Sequence, residues 1–130
     1  MSAIATPGNH HTVTPYLMAT DTDKLIDFLK NVFEAEETTR IIRSDGKVSH
    51  AELTISGSTV MLGEISTEWT PLAASVYVYV ADADSTYRRA VNAGSIAFME
   101  PTNISESDRM AAIQDPFGNV WWIVTHTPTV

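Results

Sequence analysis

A chain of 130 residues, 44% of them apolar, has the size and composition of one globular domain with a buried core. Sixteen Asp and Glu against eight Lys and Arg give a formal net charge of −8, which opposes nucleic acid and anionic membrane as partners and mildly favours a cationic ligand. With no cysteine, disulfides and thiolate chemistry are excluded, and a reducing cytoplasm is the expected compartment.

No apolar run approaches the roughly 18 residues that a membrane span needs. The N-terminal MSAIATPGNHH carries neither a basic n-region nor a long apolar h-region, so no secretory signal is expected. Residues 1–10 read as a loose tail. Val13 to Thr20 is a strand candidate, with Pro15 pointing to an edge position or a bulge. Asp21 to Asp23 supplies N-caps. Leu25, Phe28, Leu29, Val32 and Phe33 then fall on one helical stripe. Glu36 to Arg43 is a strand, Ser44-Asp45-Gly46-Lys47 a hairpin turn, and Val48 to Ile55 the return strand. The Ser56-Gly57 turn leads into Thr59 to Gly63.

Ile65 to Ala74 is a connector. Ser75 to Val80 begins the second half as a strand. Asp82 or Asp84 caps a second helix, which stops at Asn92-Ala93-Gly94 with the glycine just past its end. Ser95 to Met99 is a strand and Glu100 to Ser107 a polar loop. Arg109 to Gln114 and Val120 to Thr125 form a last hairpin around Asp115-Pro116-Phe117-Gly118, where Pro fixes φ and Gly tolerates positive φ. Adjacent Trp121 and Trp122 on one strand must point to opposite faces. One fills the core; the other is free to line a ligand cleft or to pack elsewhere.

Both halves therefore run β-α-β-β-β. A shift of 61 positions superposes them without a gap: Tyr16 meets Tyr77, Asp21 meets Asp82, Gly57 meets Gly118, and Thr14 meets Ser75. Caps meet caps and turns meet turns. The expected fold is α+β, two repeated β-α-β-β-β modules covering about residues 12–64 and 75–126 within a single domain of 1–130.

Three stretches carry a family resemblance: TPYLMATD (Thr14 to Asp21) before a helix with Phe28 and Phe33, SHAELTI (Ser49 to Ile55), and DRMAAIQDPFGNVWWIVTH (Asp108 to His126). Through them the chain resembles the vicinal oxygen chelate superfamily, the glyoxalase/bleomycin resistance/dioxygenase fold, and within it the PhnB-like branch. The resemblance spans Thr14 to His126, with one departure: Ser107-Asp108-Arg109 stands where that branch often has Gly-Asp-Arg. It implies a curled mixed sheet around one cleft, helices outside, and a homodimer.

Metal-dependent members hold a divalent ion with four side chains. By motif position these are Thr14, Met61, Ser75 and Trp122 here. None offers imidazole or ionised oxygen, so no metal and no cofactor is expected at that place, and metal-dependent lyase or dioxygenase activity is not expected. A displaced site using His50, Glu52 and another histidine, such as His11 or His126, is the remaining metal alternative. The simpler account of His50-x-Glu52 is a hydrogen-bonded polar pair on one strand face.

Strand parity then separates two faces. One carries Thr14, Tyr16, Met18, His50, Glu52, Thr54, Met61, Ser75, Tyr77, Tyr79, Trp122 and, through the repeat, Ala111 and Ile113. The other carries Val13, Leu17, Ala51, Leu53, Val60, Leu62, Val76, Val78, Val80, Trp121 and Ile123, almost all aliphatic. Aromatic and polar against plain apolar is the contrast of a site against a core. The expected ligand-binding residues are Tyr16, Met18, His50, Glu52, Met61, Tyr77, Tyr79 and Trp122, with Glu52 and His50 also the candidate acid/base pair. Arg109 beside Asp108 reads as a local ion pair. There is no phosphate loop, nucleophile elbow or HExxH. Three functions fit: a metal-free protein that binds a flat aromatic or cationic organic molecule; an enzyme of the same fold using Glu52 and His50 or a displaced metal; and a dimer whose cleft serves only assembly or regulation.

Overall fold

The structure, a computed structural model, describes residues 5–7, 10–65 and 73–128. The elements are β1 (Tyr16–Ala19), α1 (Thr22–Phe33), β2 (Glu36–Ile42), β3 (Val48–Ile55), β4 (Ser58–Glu64), β5 (Ser75–Tyr79), α2 (Ala83–Asn92), β6 (Ile96–Asn103), β7 (Asp108–Gln114) and β8 (Val120–His126). They form two four-stranded mixed sheets ordered β1-β4-β3-β2 and β5-β8-β7-β6. In each, the first strand runs parallel to the last and the other pairs are antiparallel. The fold is α+β, and the β-α-β-β-β order expected from the sequence occurs twice. The chain divides into two compact units, Met1–Lys30 with Glu34–Pro71, and Asn31–Phe33 with Leu72–Val130.

The spacing of 61 is kept where the first and last strands of each sheet meet. Tyr16 lies opposite Met61 and Leu17 opposite Leu62; Tyr77 lies opposite Trp122 and Val78 opposite Ile123. Strand β1 is shorter than the run Val13 to Thr20. It starts only after Pro15, whose ring removes an N–H and restricts the residue before it. Val13 is therefore 85% exposed rather than in the core. Thr14 stands outside the strand, with its hydroxyl donating to the His11 carbonyl at 3.1 Å. Pro15 still contributes, its carbonyl accepting from the Met61 N–H at 2.9 Å.

Helix α1 begins at Asp21, whose carboxylate accepts from the Lys24 N–H at 3.3 Å. Its apolar stripe, Leu25, Phe28, Leu29, Val32 and Phe33, is buried. Lys30 bonds Glu37 at 2.8 Å, and Arg40 grips Glu37 at 2.6 Å and Asp23 at 3.0 Å, so the helix is tied to β2 by charge. Hydrogen bonds from Arg40 first and Lys30 second pull the Glu37 carboxyl down from 4.5 to about 2. A carboxyl with a lowered folded-state pKa adds stability above its unfolded value and loses it as pH falls. This network should contribute about 1 kcal/mol above pH 4.5, discounted because its partners are partly solvated, and the contribution should fade between pH 4.5 and 2. Urea denaturation of Glu37→Gln beside the unsubstituted protein checks this. The gap between them should be open at pH 7 and should shrink by pH 3; a gap that stays constant rejects it.

The helix ends at Glu34 in the left-handed region, φ 56°. A side chain there costs about 1 kcal/mol that glycine avoids. Glu34→Gly should raise the thermal midpoint, by up to about 1 kcal/mol in stability. A lowered midpoint would show that the Glu34 side chain matters more than its backbone strain.

Helix α2 is capped by Asp82, which accepts from the Asp84 and Ser85 N–H groups, and is followed by Gly94 at φ 100°. It packs across β6, β7 and β8. Strand β6 runs on through Pro101 to Asn103, beyond the end expected at Met99. An edge strand tolerates proline, and the register shift between Met99 and Thr102 absorbs it. Arg109 does not pair with Asp108. It forms a two-pronged bond to Asp84 of α2, at 2.6 and 3.0 Å, while Asp108 takes His126 at 2.6 Å. Neighbours along a strand point to opposite faces, so their charges separate. The Ile65 to Ala74 connector lies mostly outside the described residues, and Trp69 with it. Among the described residues no helix is long and apolar enough to cross a membrane.

Candidate functional site

In the first unit, the pairings β1–β4–β3 sort side chains into two faces. Leu17, Ala51, Leu53, Val60 and Leu62 share one, all buried. Tyr16, Met18, Met61, Gly63, Glu52 and His50 share the other. The two-residue turn Ser56-Gly57 holds this register by pairing Ile55 with Ser58. The parity expected from the sequence is correct for β1, β3 and β4, while Val13 and Thr14 stand ahead of β1.

Glu52 is the centre of the polar face. Its Oε2 bonds His50 Nε2 at 2.9 Å, the within-strand pair expected from the sequence. Its Oε1 bonds His10 Nε2 at 2.8 Å. His10 belongs to the segment that the sequence marks only as a tail, and nothing in its spacing signals this contact. The hydrogen bond from His50, and next that from His10, hold the Glu52 carboxyl below the usual range against the opposing effect of burial. Glu52 is therefore an ionised carboxylate whose two oxygens are each engaged by an imidazole, not an open anchor. The Glu52 side chain is only 14% exposed. Among the described residues, no three His, Asp or Glu side chains are grouped so as to hold a metal ion.

Tyr16 lies beside this pair, its ring edge-on to His50 with centroids 6.0 Å apart. It folds down over Gly63. A Cβ at Gly63 would stand 2.5 Å from the Tyr16 hydroxyl oxygen and 3.0 Å from Met18 Sδ, so glycine is what allows both side chains to lie flat on the sheet. Tyr16 remains 54% exposed. The unit thus presents an aromatic ring, two thioethers and an imidazole–carboxylate–imidazole row on one surface.

In the second unit, Ser75, Tyr77, Tyr79 and Trp122 share a face. Tyr77 and Tyr79 are exposed and tilt against each other at 5.5 Å. Trp122 Nε1–H donates to the Ser75 hydroxyl at 2.8 Å, so two of the four positions matched to family metal ligands satisfy each other. Trp121 fills the core on the opposite face, completely buried, and its Nε1–H donates to Asp115 at 2.9 Å.

Ala111 and Ile113 are not on the site face. Ala111 lies opposite Ile123 and Ile113 opposite Trp121, all on the buried face. Met110, Ala112 and Gln114 share the face of Trp122 instead, with Ala112 opposite Trp122, Met110 opposite Val124 and Gln114 opposite Val120. The cause is the hairpin. Gln114 pairs with Val120 across the five residues 115–119, whereas the first hairpin turns in two. An odd difference in loop length moves one strand by one residue against its partner, and every side chain on it changes face.

The comparisons with known proteins agree with this architecture. Residues 8–123 match the profile of the Glyoxalase/Bleomycin resistance protein/Dioxygenase superfamily. The uncharacterized protein Mb0911c of Mycobacterium bovis is 33% identical over 122 residues, covering 84% of this chain and 79% of its own length. Among solved structures, TioX from Micromonospora sp. ML1 superposes with a TM-score of 0.76 at 26% identity, over 92% of this chain and 99% of that one. The fosfomycin resistance protein FosX from Listeria monocytogenes superposes with a TM-score of 0.70 over 90% of this chain and 93% of that one; at 17% identity the likeness is one of fold. A profile match across nearly the whole chain, on two β-α-β-β-β modules, settles the family: the chain belongs to the Glyoxalase/Bleomycin resistance protein/Dioxygenase superfamily.

Proposed function

We propose that this protein is a metal-free small-molecule binding protein of the glyoxalase/bleomycin resistance type, in the PhnB-like branch, acting as a homodimer in the cytoplasm. Its ligand is a flat, neutral or cationic organic molecule. The observation that carries this is the division of the first sheet. One face is aliphatic and buried; the other keeps Tyr16 exposed beside Met18, Met61, His50 and Glu52. An exposed aromatic ring lying over glycine, next to an ionised carboxylate, suits stacking and cation recognition. The second sheet, taken by itself, carries Tyr77, Tyr79 and Trp122 on one face as further stacking groups. The acidic net charge assists a cation and disfavours phosphate-like or glutathione-like anions.

The enzyme reading keeps one specific support. A carboxylate bonded to an imidazole, as Glu52 is to His50, is an arrangement that orients a general base. Binding is the better-supported role because Thr14, Met61, Ser75 and Trp122 stand at the family's metal-ligand positions and offer neither imidazole nor ionised oxygen.

A screen of flat organic compounds against the tag-free protein, read by Trp emission with the Trp121 and Trp69 background subtracted, should find ligands. Glu52→Gln should weaken cationic ligands alone, and more at low salt than at high. Trp122→Ala and Tyr16→Ala should weaken flat ligands of any charge, by about 0.5–2 kcal/mol for a cation. An anionic ligand indifferent to all three variants would overturn the assignment. So would elemental analysis giving close to one transition metal per chain, which would restore the displaced metal site.

A further inference from the structure

The two imidazoles on Glu52 differ in how they reach it. His50 is two residues away on the same strand, and the pleat of β3 places it on that face whatever else happens. His10 is 42 residues away in sequence and stands ahead of β1. Among the described residues, the bonds around it are local: its N–H donates to the Pro7 carbonyl at 3.0 Å, its carbonyl accepts from the Thr6 hydroxyl at 2.8 Å, and Thr14 returns to His11. Its tie to β3 is the side-chain bond to Glu52 Oε1. One carboxylate oxygen is thus occupied by a fixed element of the sheet, and the other by a planar nitrogen donor on a segment outside it.

We propose that His10 is a resident stand-in for the ligand's polar group, and that the seat it fills at Glu52 Oε1 belongs to a planar nitrogen cation, an amidinium or guanidinium carried on a flat ring, which enters by displacing His10. This rests on the binding role proposed above and narrows it to a chemical class. The seat accepts one ring N–H at a carboxylate oxygen, at 2.8 Å, and amidinium and guanidinium offer N–H donors suited to a carboxylate. Their charge is fixed at neutral pH, and the hydrogen bonds that keep Glu52 ionised supply its counterpart. Met61 lies directly across from Glu52 in the register and Tyr16 across from Met61, so the ring attached to such a cation has a thioether and an aromatic face to lie on. Both partners in the seat are mostly shielded, with 17% of the His10 and 14% of the Glu52 side chain exposed, which strengthens a charged bond relative to one on open surface.

The test uses benzamidine as the cation and benzamide as its neutral, near-isosteric control. Titration calorimetry is run on the full chain and on the His10→Ala, His10→Gln and Glu52→Gln variants, each first shown to keep its thermal midpoint. If His10 occupies the seat in most molecules, removing it should tighten benzamidine about three- to tenfold, since apparent affinity falls with the fraction of open sites. Glu52→Gln should weaken benzamidine at least about tenfold while leaving benzamide unchanged. In histidine-labelled protein, benzamidine should move the ring signals of His10. The inference is overturned if His10→Ala binds benzamidine no more tightly than the unsubstituted chain, or if the His10 signals stay in place at saturation. Equal binding of benzamidine and benzamide, insensitive to Glu52→Gln but lost in Tyr16→Ala, would sink the stand-in while leaving the binding role intact. Failure of every flat compound to bind, with or without His10, would remove both.

Discussion

Replacing Asp115 by alanine is expected to destabilise the protein by about 3–5 kcal/mol, a large share of the 5–15 kcal/mol typical of a domain. Asp115 is 2% exposed and accepts four N–H groups. Oδ1 takes the backbone N–H of Phe117 and of Asn119, each at 2.9 Å; Oδ2 takes Asn119 Nδ2 at 3.1 Å and Trp121 Nε1 at 2.9 Å. Asn119 in turn accepts from the Ala74 N–H at 2.9 Å, which joins the loop to the entry of β5. Alanine leaves buried donors without acceptors, and an orphaned buried donor costs more than a satisfied bond contributes. Asp115→Asn should recover only part of the loss, because its amide nitrogen would face another donor. Chemical denaturation followed by Trp emission gives the numbers. A loss below about 1 kcal/mol would mean that water replaces the carboxylate and that the network is not closed.

Adjacent residues on β3 should behave oppositely. Leu53 is completely buried, and Leu53→Ala should cost about 2–5 kcal/mol through lost transfer energy and a cavity. Glu52 faces the polar surface, and Glu52→Ala should cost less than Leu53→Ala, because it opens no cavity in the core and water at the edge of the face can replace its two hydrogen bonds. In binding assays the ranking should invert: Glu52→Ala should lose cationic ligands, while Leu53→Ala should keep its affinity wherever it is folded. Equal stability costs at the two positions would contradict the division of the sheet into a core face and a site face.

Much of this is legible in the sequence, for local reasons. Asp21 and Asp82 cap helices through atoms two or three residues away. Gly46, Gly57, Gly94 and Gly118 all adopt positive φ, a property of single residues. The parity of β1, β3 and β4 follows from a period of two and a two-residue turn. Because each module repeats these signals, the β-α-β-β-β order was determined by sequence alone, and so was the opposition of Trp121 and Trp122.

What only tertiary structure decided depends on distances that spacing does not encode. The five-residue loop at 115–119 moves β7 by one residue, so Ala111 and Ile113 go to the core; the motif predicts a turn there but not its parity. Arg109 leaves Asp108 for Asp84, 25 residues away, because a helix crosses its face of the sheet. His10 reaches Glu52 across 42 residues from a segment with no periodic pattern. A side chain's partner across such a separation is chosen by the folded backbone that brings the two together, and sequence supplies only the chemistry each one carries there.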